Sequence, residues 1–204
     1  MTVIATKSVA ELALNRRSIR RFAPTPVPQN DLRRILEIAG SAPTAFNTQP
    51  TRFVVVQNPE LKTQLQATAF GQPQVGSAPA VIVIVSDFEN VLETAGETAH
   101  PVLGAEGLEK QVDTFEKSFG SQSLEQRGAW GNAQSNIAFG YLLLAVESMG
   151  YSSSPMLGFN PQAVKELLGL PAHVTITGLL PFGLAAEEGR PQHRHSVDRI
   201  TTWK

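Results

Sequence analysis

The chain has 204 residues, of which 42% are hydrophobic and 17% are charged, and its formal net charge is -1. This length suits one domain with a sizeable core, the low charge argues against disorder, and the near-neutral balance argues against broad electrostatic binding of nucleic acid. The chain has no cysteine, which excludes disulfides, thiolate metal sites and cysteine nucleophiles.

Several local patterns predict helices. Residues 8–11 have the S-x-x-E form of a capping box, and a second helix is predicted from Gln29 to Ala39 because its apolar residues fall on one face. Asn58 and Asn160 are each followed by proline, which is typical of an N-cap and the first helical position. Gly169 then predicts a left-handed helix stop.

The predicted strands are apolar along most of their length. They are residues 53–56, 80–85 and 174–180. Residues 136–149, NIAFGYLLLAVESM, are apolar on nearly every side and predict a helix that is buried all round. Long helices that intervene between few strands indicate an α+β sandwich with a helical layer.

One part of the chain has a weaker pattern. Residues 87–127 show only weak helical periodicity, and we expect them to form a mobile excursion from a single domain that spans residues 1–204. The N-terminal segment lacks a signal-peptide pattern, and the longest apolar run, near residues 141–146, is far shorter than the roughly 20 residues that span a bilayer. We therefore expect a cytoplasmic protein that does not bind membranes.

Basic side chains are crowded near the start of the chain. The segment NRRSIRRF, residues 15–22, contains four arginines. A guanidinium fork matches phosphate geometry and a hydroxyl adds a further donor, so Arg16, Arg17 and Ser18 are candidates for a phosphate clamp. The same side chains also suit a solvated helix end, where cations complement the helix dipole. The arginines alone leave both interpretations open.

Polar loops precede the first two predicted strands. In SAPTAFNTQP, residues 41–50, the side chains of Thr44, Asn47 and Gln49 can supply donors and acceptors to a planar heterocycle. GQPQV, ahead of the second strand, contains Gln72 and Gln74, whose amides suit a ring edge that alternates carbonyl and N–H groups. An ordinary turn explains each segment when it is taken in isolation.

The C-terminal part of the chain adds two further features. Gly158 in SSSPMLGF has no Cβ and would let the backbone approach a flat ligand closely. GRPQHRHSVDRI contains a second basic cluster, Arg190, Arg194 and Arg199, which is able to complete a phosphate clamp.

Other chemistries find little support in the sequence. There is no G-x-G-x-x-G, no G-x-x-x-x-G-K-[ST] and no G-x-S-x-G motif. His193 and His195 lack further ligands at metal-site spacing, so no metal site is expected. Few groups can perform chemistry on their own, which points to a borrowed cofactor.

Taken in order, five segments resemble the nitroreductase family of FMN-dependent oxidoreductases. They are NRRSIRRF, SAPTAFNTQPTRFVVV, GQPQVGSAPAVIVIV, WGNAQSNIAFGYLLLAVESMGYSSSPMLGF and LPFGLAAEEGRPQHRHSVDRI. The resemblance covers most of the chain except residues 87–127. It implies an α+β fold with a central mixed or antiparallel sheet flanked by helices, in an intertwined homodimer whose two FMN sites are each built from both chains.

The resemblance assigns the phosphate end of the flavin to both basic clusters. Arg16 and Ser18 match residues that contact the phosphate, with Arg17 close to the phosphate or the ribityl chain, and Arg194 matches the arginine of the C-terminal motif. The family often has a lysine at the position of Gln192. One phosphate contact is therefore either missing or supplied by Arg190 or His193.

The resemblance also assigns the ring end of the flavin. Thr44 and Asn47 match positions beside the flavin, Asn47 often from the partner subunit, and Gln49 is a further candidate of the same loop. Gln72 matches a position at the pyrimidine edge.

The backbone of the segment before Phe159 is expected to face the flavin and to donate toward its N5 atom. The residues concerned are Pro155, Met156, Leu157 and Gly158. Some relatives carry a glutamate at the position of Leu157, which would make the potential near the flavin more negative.

The implied mechanism is ping-pong. A nicotinamide cofactor, NADH or NADPH, reduces bound FMN and leaves, and a nitroaromatic, quinone or similar flat acceptor then takes the electrons. The flavin carries the chemistry, so no catalytic side chain is predicted. A flavin-binding storage or sensor protein without turnover is the alternative, because Leu157 and Gln192 depart from the family pattern.

Overall fold

The protein was analysed as a computed structural model that describes residues 7–204. The helices are α1 (Val9–Asn15), α2 (Gln29–Gly40), α3 (Pro59–Thr68), α4 (Pro73–Ser77), α5 (Phe88–Glu93), α6 (Gly104–Phe119), α7 (Leu124–Ser148), α8 (Pro161–Leu168) and α9 (Val197–Ile200). The strands are β1 (Thr51–Val56), β2 (Ala80–Ser86), β3 (Ser152–Ser153) and β4 (Thr175–Gly183).

A four-stranded sheet forms the centre of the fold. Its strand order is β1-β2-β4-β3, and all neighbouring strands are antiparallel. Side chains of β2 alternate between two core clusters: Val83 packs with Leu65 of α3, and Ile82 packs with Leu142 of α7. Helices therefore cover both faces of the sheet, which explains why the strands are continuously apolar. The predicted α+β class with an antiparallel sheet is confirmed.

Strand β4 is longer than predicted because it includes Pro181. The carbonyl oxygen of Pro181 accepts a hydrogen bond from the N–H of Ser154. The N–H and C=O of one strand residue point to the same side, so the missing N–H of Pro181 faces the short strand β3 and not β2. Proline therefore costs the central β2–β4 ladder no hydrogen bond.

Helix α7 begins twelve residues before the predicted buried helix at 136–149. Its first half is rich in glycine and polar residues, so it has no clear apolar periodicity. A capping box formed by Ser123 and Gln126 defines its start. Gly131 lets the helix approach the sheet, since an added Cβ would lie 2.6 Å from Ser86 Oγ.

Segment 87–127 is helical and has its own apolar cluster. Phe88, Phe115 and Phe119 are buried together, and Trp130 of α7 packs edge-on against Phe88 and Phe119. The helix predicted by weak periodicity in this segment is present as α6. Its mobility stays a prediction.

Helix length and hydropathy also bear on membrane insertion. Within residues 7–204, no helix is both long enough and apolar enough to span a bilayer.

Candidate functional site

Arginines from both ends of the chain converge on one open cavity of about 180 Å³, called here the arginine cavity. It is lined by Arg16, Arg17, Ser18, Arg20, Arg190, Gln192 and Arg194. The structure therefore brings together the four predicted phosphate contacts, and it adds Arg20 and Arg190. His193 is not among the lining residues.

The first wall of the cavity is fixed by the sheet. Ser18 forms a parallel bridge with Ser153 of β3, and the N–H of Ile19 donates to the Ser153 carbonyl at 3.0 Å. Ile19 is buried in the core cluster below. Residues 16–18 thus leave helix α1 as an extended edge segment, which holds Ser18 and the preceding arginines at the rim of the sheet.

The second wall is the C-terminal segment, which docks on the first through three contacts. Glu187 Oε1 accepts from the N–H groups of Arg20 and Arg21 at 2.6 and 3.2 Å. Gly189 lies so close to Arg17 that an added Cβ would be 2.2 Å from the Arg17 Cβ. A side chain at position 189 would therefore push the two walls apart.

Gln192 provides the third contact. Its Nε2 donates to the carbonyl oxygens of Ala13 and Arg16, both at 3.1 Å. The amide therefore ties the C-terminal segment to the end of helix α1. This is a structural role at the position where the family often has a lysine, and it leaves Arg190 as the additional cation at the cavity.

Arg16 is a partly buried cation of the cavity. Its Nη1 atom is buried, and no group among residues 7–204 hydrogen-bonds to it. Burial lowers the pKa of Arg16, and nearby Arg194 and Arg17 lower it further, while Glu147 opposes the shift. A buried guanidinium nitrogen next to further cations needs an anion, and a phosphate group meets that need.

Arg17 is held differently from Arg16. Its Nη1 donates to the carbonyl oxygens of Leu14 and Arg16, at 2.8 and 2.9 Å, at the end of helix α1. This contact satisfies free carbonyls of the last helical turn. For Arg17, the structure therefore supports the helix-end interpretation as well as a position beside the cavity.

From the arginine cavity, the segment after β3 runs along β4 toward Gln72. Met156 pairs with Leu179 of β4. Because Met156 comes three residues after Ser153 in an extended segment, it lies about 10 Å further along the sheet. Gln72 Nε2 donates to the Gly158 carbonyl at 2.8 Å, and Gln72 Oε1 accepts from Gln74 at 3.0 Å. Ser18 and Gln72 thus flank the two ends of one extended edge segment.

The backbone of this segment has a restricted set of free donors. The Met156 N–H donates to the Leu179 carbonyl at 2.9 Å, so it cannot also serve a flavin. The N–H groups of Leu157 and Gly158 have no partner within residues 7–204, and both residues are exposed. An added Cβ at Gly158 would lie 2.9 Å from Gln72 Nε2, so a side chain at position 158 would displace the Gln72 amide from its contact with the carbonyl. The predicted backbone donor is therefore Leu157 or Gly158.

The polar loop 41–50 has an unusual backbone. Phe46, Asn47 and Gln49 have positive φ angles of 56°, 56° and 47°, although none is glycine. The Asn47 side chain donates to the Thr98 carbonyl at 2.9 Å, and Gln111 Nε2 donates to the Phe46 carbonyl at 2.8 Å. Segment 87–127 therefore holds the loop in a strained conformation, which is a feature common at functional sites.

Within one chain, the polar loop lies far from the arginine cavity. Thr51 follows the loop and is the first residue of β1. It pairs with Ser86 of β2, which in turn pairs with Thr175 at the start of β4. Ser153 pairs with Phe182 at the opposite end of β4 and on the opposite edge of the sheet. Strand spacing and rise put these corners about 25 Å apart. One chain therefore does not bring Thr44, Asn47 and Gln49 to Arg16.

Comparison with known proteins decides the family. Residues 13–184 match the model of the nitroreductase family. The chain belongs to the nitroreductase family. The resemblance of the five segments predicted this membership, and the prediction is confirmed.

Individual members of the nitroreductase family are similar along most of the chain. An NADH dehydrogenase of Thermus thermophilus is 46% identical over 192 residues, which cover 94% of each protein. An FMN reductase (NAD(P)H) of Bacillus subtilis is 31% identical over 180 residues, covering 87% of this chain and 66% of that one. A structure from Exiguobacterium sibiricum, described as a nitroreductase in complex with FMN, has a TM-score of 0.84 at 28% identity and covers 97% of this chain and 98% of that one.

Sequence reasoning missed one residue of this nitroreductase site. Arg20 was predicted only as part of the basic run, although it lines the arginine cavity. Gln74, considered with Gln72 for a ring edge, is instead buried and donates hydrogen bonds to Gln72 Oε1 and to the Met156 sulfur. The alternation of Arg16, Ser18 and Arg20 along an extended segment was the available signal, because alternate residues of such a segment face one side.

Proposed function

We propose that this chain is an FMN-dependent oxidoreductase that takes electrons from NAD(P)H and passes them to nitroaromatic, quinone or similar flat acceptors. The observation that carries the proposal is the arginine cavity, in which the buried Nη1 of Arg16 has no hydrogen-bond partner from the described part of the chain, residues 7–204. Membership of the nitroreductase family and the FMN and NAD(P)H named for its relatives support it.

In this proposal the arginine cavity holds the phosphate of FMN. Arg16 supplies a guanidinium and Ser18 a hydroxyl from the first wall, and Arg194 supplies a second guanidinium from the C-terminal wall. Arg190 supplies the charge that a lysine often provides in the family, since Gln192 is bonded to the end of α1. Arg17 stabilises α1 and contributes its charge.

The segment from Ser153 to Gly158, with Gln72 beside it, would hold the ring end of FMN. Bound FMN would supply the redox chemistry between NAD(P)H and the acceptor. The free N–H of Leu157 or Gly158 donates to the flavin, and Gln72 keeps Gly158 in place. Leu157 donates through its backbone, so a leucine side chain does not prevent this role.

Thr44, Asn47 and Gln49 complete the site from a partner subunit of a homodimer. The separation of about 25 Å between the two parts in one chain supports this arrangement, because a two-fold related copy can bring the loop to the cavity. The nicotinamide and the acceptor occupy the open ring face in turn, which is the ping-pong scheme. The expected cytoplasmic location stays a prediction.

The phosphate assignment is tested by the change Arg16→Ala. Loss of one charged donor is expected to weaken FMN binding roughly tenfold to a hundredfold. The FMN content after gel filtration and the dissociation constant from flavin fluorescence measure the effect. Arg33→Ala removes an exposed arginine of α2 and serves as the control. Unchanged FMN affinity in Arg16→Ala would overturn the assignment.

A second measurement separates the enzyme from a storage or sensor protein. The visible spectrum of the wild-type protein is recorded under nitrogen while NADH or NADPH is added. Bleaching of the flavin band, followed by its return when a nitroaromatic or quinone is added, supports the oxidoreductase. A flavin band that neither cofactor bleaches would favour the storage or sensor function.

A further inference from the structure

Among residues 7–204, two buried atoms of opposite charge near the arginine cavity lack hydrogen-bond partners. Arg16 Nη1 is one, and Glu147 Oε1 is the other. Glu147 lies in the last turn of α7, on which α1 packs just before Arg16. One atom is a donor without an acceptor, and the other is an acceptor without a donor. Groups that are buried in this way are normally hydrogen-bonded.

The charges around these two groups favour their pairing. Arg16, Lys7 and Arg17 face the carboxyl group of Glu147, while Arg194 and Arg17 face Arg16. Glu147 is therefore the group that offsets the repulsion among the cations at this end of the cavity. The two side chains are not within the 4.0 Å of an ion pair, so Glu147 acts on Arg16 here through its charge.

We propose that Glu147 is a positioning residue that fixes the guanidinium of Arg16 for the phosphate of FMN. The proposal rests on the proposed function and deepens it. The Arg16 guanidinium is a planar fork with donors on two edges. The Glu147 carboxylate attracts this guanidinium from the side of α7 and offsets the repulsion from Arg17 and Arg194, so that Arg16 is held beside the arginine cavity.

The test compares FMN with riboflavin, which lacks the phosphate. Glu147→Gln keeps the shape of the side chain but removes its charge, so the affinity for FMN is expected to fall about tenfold. The affinity for riboflavin is expected to stay the same. The matched control is Glu125→Gln, which changes an exposed glutamate of the same helix. Circular dichroism of each variant establishes that it is folded.

A double mutant decides whether Glu147 acts through Arg16. In the background of Arg16→Ala, Glu147→Gln is expected to have no further effect on FMN affinity, because the group that it positions is gone. An equal loss in both backgrounds would overturn the proposal. So would unchanged or tighter FMN binding in the single variant, since Glu147 would then be a spectator or a competing anion.

The pH dependence supplies a readout that a purely structural role would not change. Burial raises the pKa of Glu147, with Arg16, Lys7 and Arg17 opposing the shift. As pH falls through this raised value, the wild-type protein is expected to lose the carboxylate and bind FMN more weakly. In Glu147→Gln, the only pH dependence of FMN binding that is expected to remain is the one due to ionisation of the phosphate itself. Identical pH profiles would count against the proposal.

Measurements on the wild-type protein and on Glu147→Gln separate the phosphate assignment from the positioning role of Glu147. If the wild-type protein binds FMN no better than riboflavin, the phosphate assignment is wrong, and the role of Glu147 falls with it. If the wild-type protein prefers FMN but Glu147→Gln retains that preference, the proposed function stands and only the positioning role is lost.

Discussion

Two neighbouring arginines differ in their hydrogen bonds because they lie in different surroundings. Arg16 and Arg17 are adjacent in sequence, yet Arg16 has a buried nitrogen with no hydrogen-bond partner among the residues that the structure describes, while Arg17 donates to two carbonyls at the end of α1. The basic run in the sequence predicted both a phosphate clamp and a helix end. Each interpretation describes one of the two arginines, and only the tertiary structure distinguishes them.

Tyr151 shows how one buried hydroxyl links stability to pH. Its hydroxyl donates to Asp31 Oδ2, and its ring packs edge-on against Phe182. Burial, together with the hydrogen bond to Asp31 and its charge, raises the pKa of Tyr151 to about 12. The unfolded chain loses this proton near pH 10, so the contribution to stability is complete below about pH 10 and is lost as pH rises toward 12.

We therefore expect Tyr151→Phe to lower the free energy of unfolding by about 1 to 2 kcal/mol at pH 7, because Asp31 loses its donor. Between pH 10 and 12 the difference from the wild-type protein is expected to shrink. Urea unfolding across this range measures both effects. Tyr141→Phe, at the exposed tyrosine of α7, is the control and should change little. A constant difference at all pH values would contradict the linkage.

At the scale of elements, a forked ion pair joins the two ends of segment 87–127. Arg127 donates to both oxygens of Glu89, at 2.7 and 2.8 Å, and these side chains are only 16% and 24% exposed. The pair joins α5 to the start of α7. Such two-point, half-buried pairs are stronger than exposed ones.

Glu89→Gln is accordingly expected to lower the free energy of unfolding by about 1 to 3 kcal/mol and to speed amide hydrogen exchange in α5 and α6. Exchange rates read by mass spectrometry also measure the mobility that the sequence predicts for this segment. The control is Glu37→Gln in the exposed pair with Arg34, where a change below about 0.5 kcal/mol is expected. Equal effects of the two changes would contradict the argument.

The sequence predicted most central elements, because each has a strong local signal. Helix α2 and strand β2 follow from apolar periodicity and β-branched runs, and both are confirmed. The first half of α7 was missed since its buried side uses small residues such as Gly131, which contribute no apolar pattern. Strand β3 has two residues, Ser152 and Ser153, and pairing with β4 alone defines it.

At the scale of the molecule, the proposed site depends on residues that one chain cannot bring together. The phosphate contacts were predictable as a group from their residue types and from family resemblance. Their meeting in space depends on Glu187, Gly189 and Gln192, whose role becomes visible only once the C-terminal segment is docked. The distance from the polar loop to the arginine cavity could not be predicted from the sequence either, because it depends on the register of all four strands.

This geometry predicts complementation between two defective variants. One chain carries Arg16→Ala, and the other carries Thr44→Ala with Asn47→Ala. Each variant alone is expected to lose activity, because every site contains a defect. A mixed dimer has one site that takes its arginine and its loop from unaltered segments, so co-expression is expected to restore turnover of NAD(P)H with a nitroaromatic.

The oligomeric state of each preparation is measured by light scattering after gel filtration. Co-expressed variants that form dimers but remain as inactive as either parent would place each site within a single chain. Monomeric wild-type protein with full FMN content would do the same.

The docking of the C-terminal segment on Arg17 has a consequence for biosynthesis. Arg190 and Arg194 follow the last strand, so all four strands leave the ribosome before these two residues. None of the four strands therefore contains the arginines of the second wall. A chain that is truncated just beyond β4 is expected to keep the strands of the sheet and to retain much less FMN after gel filtration than the wild-type protein.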